Sequence, residues 1–388
     1  MKKSLVGLLV VASMAGMVGC KKADAGSDSA ASTSTSAKAS TYEIAIVTDV
    51  GSLMDGGFNQ GTYEGAKEYA EANKLTYKYY QPANGSSATT KDRVAAYNLA
   101  VTGGAKVIVA PGFMQADAMA EVAEKNPTVK FLFVDGYTLS DSSKKVLSNV
   151  TAIQYKEQEA GYFAGYSAAM DGFKKLGGVF GGGGSNPACD RYAYGYVQGI
   201  EDGAKDKGVT DKLEVKVSFK YGDAFSASTE LQQQVNGWYN AGTEVVFSCG
   251  GSMVNSVVAA VGSNTDRYII GVDVDQQALS KQVVTSAMKG LGVSVKEVLT
   301  GYYAGKWDAD YAGKAVNLGA AEDATGLPTA DASWRFKNFK KEQYNTLFAK
   351  VKAGTVVPKS DIDKDCNVAT FWSTKCADMT HVSVTLDK

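Results

Sequence analysis

From Tyr42 onward, short apolar runs rich in β-branched residues alternate with longer stretches in which apolar positions recur every three or four residues. The short runs predict strands at 42–48, 76–80, 107–110, 131–134, 176–180, 215–219, 245–248 and 269–272. The longer stretches predict helices at 61–73, 90–102, 115–126, 157–170, 191–207, 228–241 and 252–261. The strands are apolar almost without interruption, so both of their faces must be covered. That pattern belongs to parallel α/β sheets with helices on either side. A chain of 388 residues exceeds the roughly 250–300 residues one core serves, so two such lobes are expected.

In doubly wound sheets, ligands collect outside the carboxyl ends of the strands, so the residues just after each strand are informative. Those after the first strand include Asp49, Asp55, Phe58 and Asn59; Pro111-Gly112-Phe113 and Asp135-Gly136-Tyr137 follow the third and fourth. The second half places Gly181 to Pro187, Phe225, Cys249-Gly250-Gly251-Ser252 and Asp273-Val274-Asp275 at equivalent points. Carboxylates, amides, glycines and aromatic rings predominate, with few basic groups. Such a site accepts hydrogen bonds from hydroxyl or N–H groups and stacks flat rings. Each aspartate has a competing role as a helix N-cap, and a pair of them could act as a glycosidase acid and base. Phe58 and Phe225 suit base stacking beside an amide such as Asn59, or else they anchor their loops in the core.

Charge and composition narrow the classes. Forty basic residues against 41 acidic ones leave a formal charge of −1, too little to hold nucleic acid or an anionic membrane surface. The single histidine, His381, lies in an alternating segment at 381–386, which removes support from histidine-dependent hydrolase mechanisms. The string Gly181-Gly182-Gly183-Gly184-Ser185-Asn186 lacks both the dinucleotide fingerprint and the P-loop Gly-Lys-Ser/Thr, so no nucleotide cofactor is expected. No cysteine or histidine spacing suggests a metal.

The first residues read as an address. Lys2 and Lys3 precede an apolar run at 5–18, shorter than the ~20 residues needed to span a bilayer. This predicts a signal peptide over 1–19. Its end, Met17-Val18-Gly19-Cys20, resembles a bacterial lipobox, with Cys20 as the lipidated residue. Residues 20–41 then form a small, polar tether. Four cysteines remain, and Cys366 with Cys376 is the favoured disulfide, closing a C-terminal loop.

Taken in order, these segments resemble a known family. The lipobox and tether, Asp49-Val50-Gly51-Ser52, Asp55, Phe58-Asn59-Gln60, Pro111-Gly112-Phe113 and Phe133-Val134-Asp135 match the basic membrane protein family. So do the segment 157–166, Gly271-Val272-Asp273-Val274-Asp275-Gln276 and Thr285-Ser286-Ala287-Met288-Lys289. These are ABC-transporter substrate-binding lipoproteins, among them the purine nucleoside receptors. The resemblance implies a type I periplasmic-binding-protein fold: lobe 1 at 42–150, lobe 2 at 151–272, a return to lobe 1 at 273–311, and a C-terminal segment at 312–388 completing lobes and hinge. It implies a lipid-anchored, outward-facing, non-catalytic protein without cofactor, which passes adenosine, guanosine or inosine to a membrane permease. Phe58 and Phe225 would sandwich the purine, and Asn59, Asp135 and Asp49 would read its edge. Asp273, Lys289 and the Gly250-Gly251 backbone would hold the ribose. A sugar or small signalling molecule on the same fold, and a secreted nucleoside hydrolase using Asp135 or Asp273, are the rival readings.

Overall fold

In the computed structural model, residues 41–48, 50, 52–219, 225–360, 372 and 376–387 are described; Cys20, Asp49 and Cys366 lie outside these. Strict alternation opens the chain: β1 (Ile44–Val47), α1 (Phe58–Ala72), β2 (Tyr77–Tyr80), α2 (Thr90–Thr102), β3 (Val107–Pro111), α3 (Ala116–Lys125), β4 (Lys130–Val134) and β5 (Val150–Tyr155). It continues through α4 (Glu157–Asp171), β6 (Lys175–Phe180), α5 (Pro187–Lys207), β7 (Leu213–Ser218), α6 (Thr229–Asn240), β8 (Val245–Cys249), α7 (Val254–Val261), β9 (Tyr268–Asp273) and β10 (Val283–Lys289). The remainder comprises α8 (Leu291–Tyr303), β11 (Ala315–Leu318), β12 (Thr325–Gly326), α9 (Lys341–Lys352) and β13 (Val382–Leu386).

Two sheets result, ordered β11-β5-β4-β3-β1-β2 and β12-β10-β9-β8-β6-β7-β13. Pairing is parallel throughout except for the short β12, which runs antiparallel to β10. The continuous apolar strands are explained by burial on both faces. In the first sheet Ala45, Val47, Ile108, Phe131 and Phe133 face one core, while Ile44, Ile46, Val107, Leu132 and Val134 face another. In the second sheet Val179, Val246 and Ile269 divide in the same way from Phe180, Phe247 and Ile270. Side chains alternating across each strand therefore all find apolar partners.

Helices α4 and α5 pack with their backbones in close approach. A Cβ on Gly165 would stand 2.0 Å from the Tyr196 carbonyl oxygen, so no larger residue fits there without parting the helices.

The sheets correct the expected lobe boundaries. Residues 151–155 belong to β5 in the first sheet, so the first crossover follows Tyr155 rather than residue 150. Strand β10 extends the second sheet to Lys289, so the return to the first lobe comes after that residue rather than at 273, where α8 packs on α1. Strand β10 (VVTSAMK) breaks its apolar run with Thr285 and Ser286 and shows no period-2 alternation, which is why its pattern did not mark it as a buried strand. The C-terminal segment serves both sheets, supplying β11 to one and β12 and β13 to the other. His381 stands just before β13, its Nδ1 3.1 Å from Glu201 Oε1 and far in the sequence from the strand ends that build the site.

Candidate functional site

A cavity of about 590 Å³ lies between the lobes at the carboxyl ends of the strands. It falls within the range of about 300–1,000 Å³ usual for small-molecule sites. Of the sequence-expected residues, Phe58, Asn59, Asp135, Phe225, Gly250, Gly251, Asp273 and Lys289 all line it. They arrive from separate strand ends: Asp135 follows β4, Asp273 ends β9, Lys289 ends β10, and Gly250-Gly251 follow β8.

Three of the non-glycine residues among these adopt positive φ angles: Asp135 (56°), Phe225 (45°) and Asp273 (67°). Aspartate tolerates this region; phenylalanine does so at a cost of about 1 kcal/mol or more, which the surrounding loop must hold in place. That loop is built around Phe225. Its carbonyl accepts from Ser252 N at 2.9 Å, and a Cβ on Gly251, whose φ is 43°, would lie 2.4 Å from the same carbonyl oxygen.

Lys289 is the electrostatic centre. Its Nζ lies 2.5 Å from Asp135 Oδ2, 3.5 Å from Glu157 Oε1 and 3.6 Å from Asp273 Oδ1, and 4.9 Å from the Phe58 ring centroid. Arg191 Nε donates to Glu157 Oε2 at 2.6 Å, and Tyr192 OH to Asp273 Oδ1 at 3.5 Å. Burial pushes the Asp135 carboxyl up against the pull of Lys289, and pushes Asp273 up to about 6. For Lys289 burial works the other way, but Asp135, Asp273 and Glu157 together hold its ammonium well above the usual range. Asp135 Oδ1 and Glu157 Oε1 are buried and accept no hydrogen bond. Four carboxylates, those of Asp55, Asp135, Glu157 and Asp273, line the cavity with two cations, Arg191 and Lys289, and of these carboxylates only Asp135 and Glu157 hold a buried oxygen without a hydrogen-bond donor.

Other expected residues do structural work. Asp55 is a helix cap: it accepts from Gly57 N at 2.8 Å, Asn59 N at 3.0 Å and Gln60 N at 3.1 Å, closing the start of α1. Asn59 Nδ2 donates to the Val50 carbonyl at 2.9 Å. Asp275 is hydrogen-bonded to Ser333 and to Gln277 N, and does not line the cavity. The site also contains residues the sequence reading did not single out, notably Glu157, Arg191, Tyr192 and Cys189. Their common signal is position, since Glu157 opens α4 and the other three lie in the first turns of α5.

The lobes touch across the cavity. Besides Lys289 with Asp135, Gln276 Nε2 donates to the Gly56 carbonyl at 2.8 Å, and the Ser86 and Ser226 hydroxyls lie 3.5 Å apart. These contacts bridge the lobes beside a ligand-sized space.

Two parallel-sheet lobes enclosing such a cavity define a type I periplasmic-binding protein. The fold is similar to that of an ABC-transporter solute-binding protein from Aeropyrum pernix K1, with a TM-score of 0.71 at 18% identity, covering 88% of this chain and 99% of that one. It is also similar to a solute-binding protein from Conexibacter woesei, with a TM-score of 0.61 at 18% identity over 83% and 100% of the two chains. Sequence then fixes the family: the chain belongs to the PnrA-like ABC transporter substrate-binding proteins, the Bmp family, whose model matches residues 42–359. It is 30% identical over 323 residues to the ABC transporter nucleoside-binding protein BmpA of Lactococcus lactis subsp. cremoris, covering 77% of this chain and 84% of that one. It is 28% identical over 308 residues to the CD4+ T-cell-stimulating antigen of Listeria monocytogenes, covering 74% and 80%. The role of an ABC-transporter substrate-binding protein implies a permease partner in the membrane. No helix among the described residues is long and apolar enough to cross a membrane.

Proposed function

We propose that this protein captures a purine nucleoside by closing its lobes and delivers it, unchanged, to an ABC permease. One observation carries the reading: Lys289 of the second lobe grips Asp135 of the first between Phe58 and Asp273, in a cavity whose buried acceptors lack donors. A nucleoside supplies what is missing, with ribose hydroxyls for Asp273 and base N–H groups for Asp135 Oδ1. Phe58 and Phe225 line the same cavity and would cover a flat ring. The name of the Lactococcus relative agrees with this ligand class. Closure then follows from ligand contacts to both lobes, which shift a hinge equilibrium. Cys20 tethers the protein to the outer face of the membrane through its lipid, and the tether at 20–41 gives it reach.

The excess of carboxylates also argues against nucleotides, since a phosphate would enter a field that is already negative. Calorimetry with adenosine, guanosine, inosine, adenosine 5′-monophosphate and ribose tests the reading. Heat is expected from one or more nucleosides and not from the nucleotide. Silence from all three nucleosides sinks the claim, and tighter binding of ribose than of any nucleoside turns it into a sugar-binding protein. Release of free base on long incubation would make it a hydrolase instead.

A further inference from the structure

The loop that follows β9 joins the two lobes from outside the ligand cavity. Residues 274–282 connect β9 to β10 within the second sheet, yet Val274 packs against the first-lobe core of Ile44, Ile46 and Val107. It meets a glycine-lined face there. A Cβ on Gly61, in the first turn of α1, would stand 2.6 Å from Val274 Cγ1, so the valine sits where any larger residue would clash. Nearby, the Leu279 methyl carbons lie 3.7 and 3.8 Å from the place of a Cβ on Gly56, and Gln276 Nε2 donates to the Gly56 carbonyl at 2.8 Å. Asp273, at the root of the loop, lines the cavity; Val274, Gln276 and Leu279 do not.

The loop is stiffened within its own lobe. Gln276 is buried, its Oε1 accepts from Val272 N at 2.9 Å, and its backbone N donates to Ser286 Oγ at 3.0 Å. A Cβ on Gly271 would lie 2.6 Å from both Gln276 Oε1 and Ser286 Oγ, so the bare strand at that point makes room for Gln276 to fold back. The C-terminal segment braces the loop as well. Ser333 Oγ donates to Asp275, while Arg335 Nη1 donates to the Ser280 and Val283 carbonyls at 2.7 and 3.2 Å, and Nη2 to Gln277 Oε1 at 2.7 Å. A side chain anchored in this way in one lobe loses little freedom on gripping the other.

We propose that this loop is a latch: Val274, Gln276 and Leu279 hold the second lobe to Gly56 and Gly61 of the first, and set how long a captured ligand stays without touching it. Such contacts are lost when the lobes part, so they weight the equilibrium toward the joined form with or without ligand. Apparent affinity scales with the fraction of protein in the binding-competent form, so the latch strengthens the hold on any ligand of the cavity. Gln276 also grips the backbone N–H of Val272, next to Asp273, which makes it a positioning residue for that carboxylate. The latch stands on contacts between the lobes; only the choice of probe rests on the nucleoside reading.

Stopped-flow binding of adenosine, guanosine and inosine to the full chain tests it, alongside small-angle X-ray scattering without ligand. In Gly61→Ala the helix gains a better helix former, while the added methyl group meets Val274 wherever the lobes join. Its melting temperature is expected to hold, its dissociation rate to rise roughly tenfold, and its association rate to stay within about twofold. Its unliganded radius of gyration is expected to exceed that of the wild type. Gln276→Glu keeps the acceptor for Val272 N and removes the donor to Gly56, and is expected to speed dissociation in the same way. Leu279→Ala, at an exposed position, is expected to do so by about threefold. Unchanged dissociation in all three variants overturns the latch, and so does a slowed association with dissociation intact. If the wild-type chain binds none of the three nucleosides, the nucleoside reading falls and scattering decides the latch. Equal radii for wild type and Gly61→Ala then overturn it, and a larger radius for the variant upholds it.

Discussion

The two walls of the cavity are built from similar residues put to different uses. On the first-lobe wall, two polar side chains are committed to their own backbone: Asp55 caps α1 and Asn59 holds the Val50 carbonyl. The second-lobe side, joined by Glu157 at the crossover into α4, is organised by charge instead. Lys289, Arg191, Asp273 and Glu157 pair with one another, and Lys289 alone reaches across to Asp135. The first wall is held by its own backbone and the second by its charge pairs. Substitutions should therefore affect stability on one side and affinity on the other, with Lys289 counting on both.

The largest effect is expected for Lys289→Met. It would leave Asp135 and Asp273 without a cation while Glu157 keeps only Arg191, and breaking a buried charge network typically costs about 3–5 kcal/mol. Thermal unfolding should show the loss, and calorimetry should show no nucleoside binding. A variant of wild-type stability would mean that the carboxylates are protonated in the native protein rather than held by Lys289.

Asp273→Ala should come next, acting on affinity. The ribose hydroxyls would lose their acceptor, a loss of about 2 kcal/mol or roughly thirtyfold in Kd. A pH series sharpens this. With Asp273 pushed up to about 6, hydroxyl donors meet its ionised form above that pH, so affinity should fall as the medium is acidified below it. The unliganded protein should respond in the opposite sense. A raised carboxyl keeps a proton that the unfolded chain has released, so its stabilising contribution is lost as pH rises from about 4 to about 6. Asp273→Asn should flatten both curves, and an unaltered affinity profile in that variant would remove Asp273 from the ribose.

Much of this wall was legible in the sequence, for a physical reason. Asp135 and Asp273 each follow an unbroken apolar strand, and in a doubly wound sheet that position faces the ligand. Phe225 lines the cavity from its polar loop, although nothing local announced its positive φ. Arg191, Glu157 and Cys189 were missed because they sit in first helical turns, where acidic or capping residues are ordinary and no periodicity separates a cavity-facing side chain from a solvated one. Helix α8 and strands β5 and β10 went unmarked because their apolar content is diluted by small and polar residues, and tertiary packing decided their state. Cys376, expected to pair with Cys366, carries a free thiol, while Cys366, Asp49 and Cys20 lie outside the described residues.

On the first-lobe wall the effects should be smaller and of the other kind. Asp55→Ala removes the acceptor of three backbone N–H groups at the start of α1 and should cost about 1–2 kcal/mol of stability, with a lesser change in affinity.

Asn59→Ala should be the mildest and the most discriminating. Its amide donates to the Val50 carbonyl, so truncation leaves that buried acceptor short of a donor at about 1 kcal/mol, read as a modest fall in the melting temperature. On the proposed reading the nucleoside Kd should change by less than the fall for Asp273→Ala, because Asp135, whose Oδ1 is buried without a donor, would still read the base. A drop in affinity beyond tenfold with stability intact would show instead that Asn59 turns from Val50 to the base when ligand enters. The first wall would then be reshaped by the ligand rather than preformed, and the contrast between the two walls would fail at the residue where they meet the same ring.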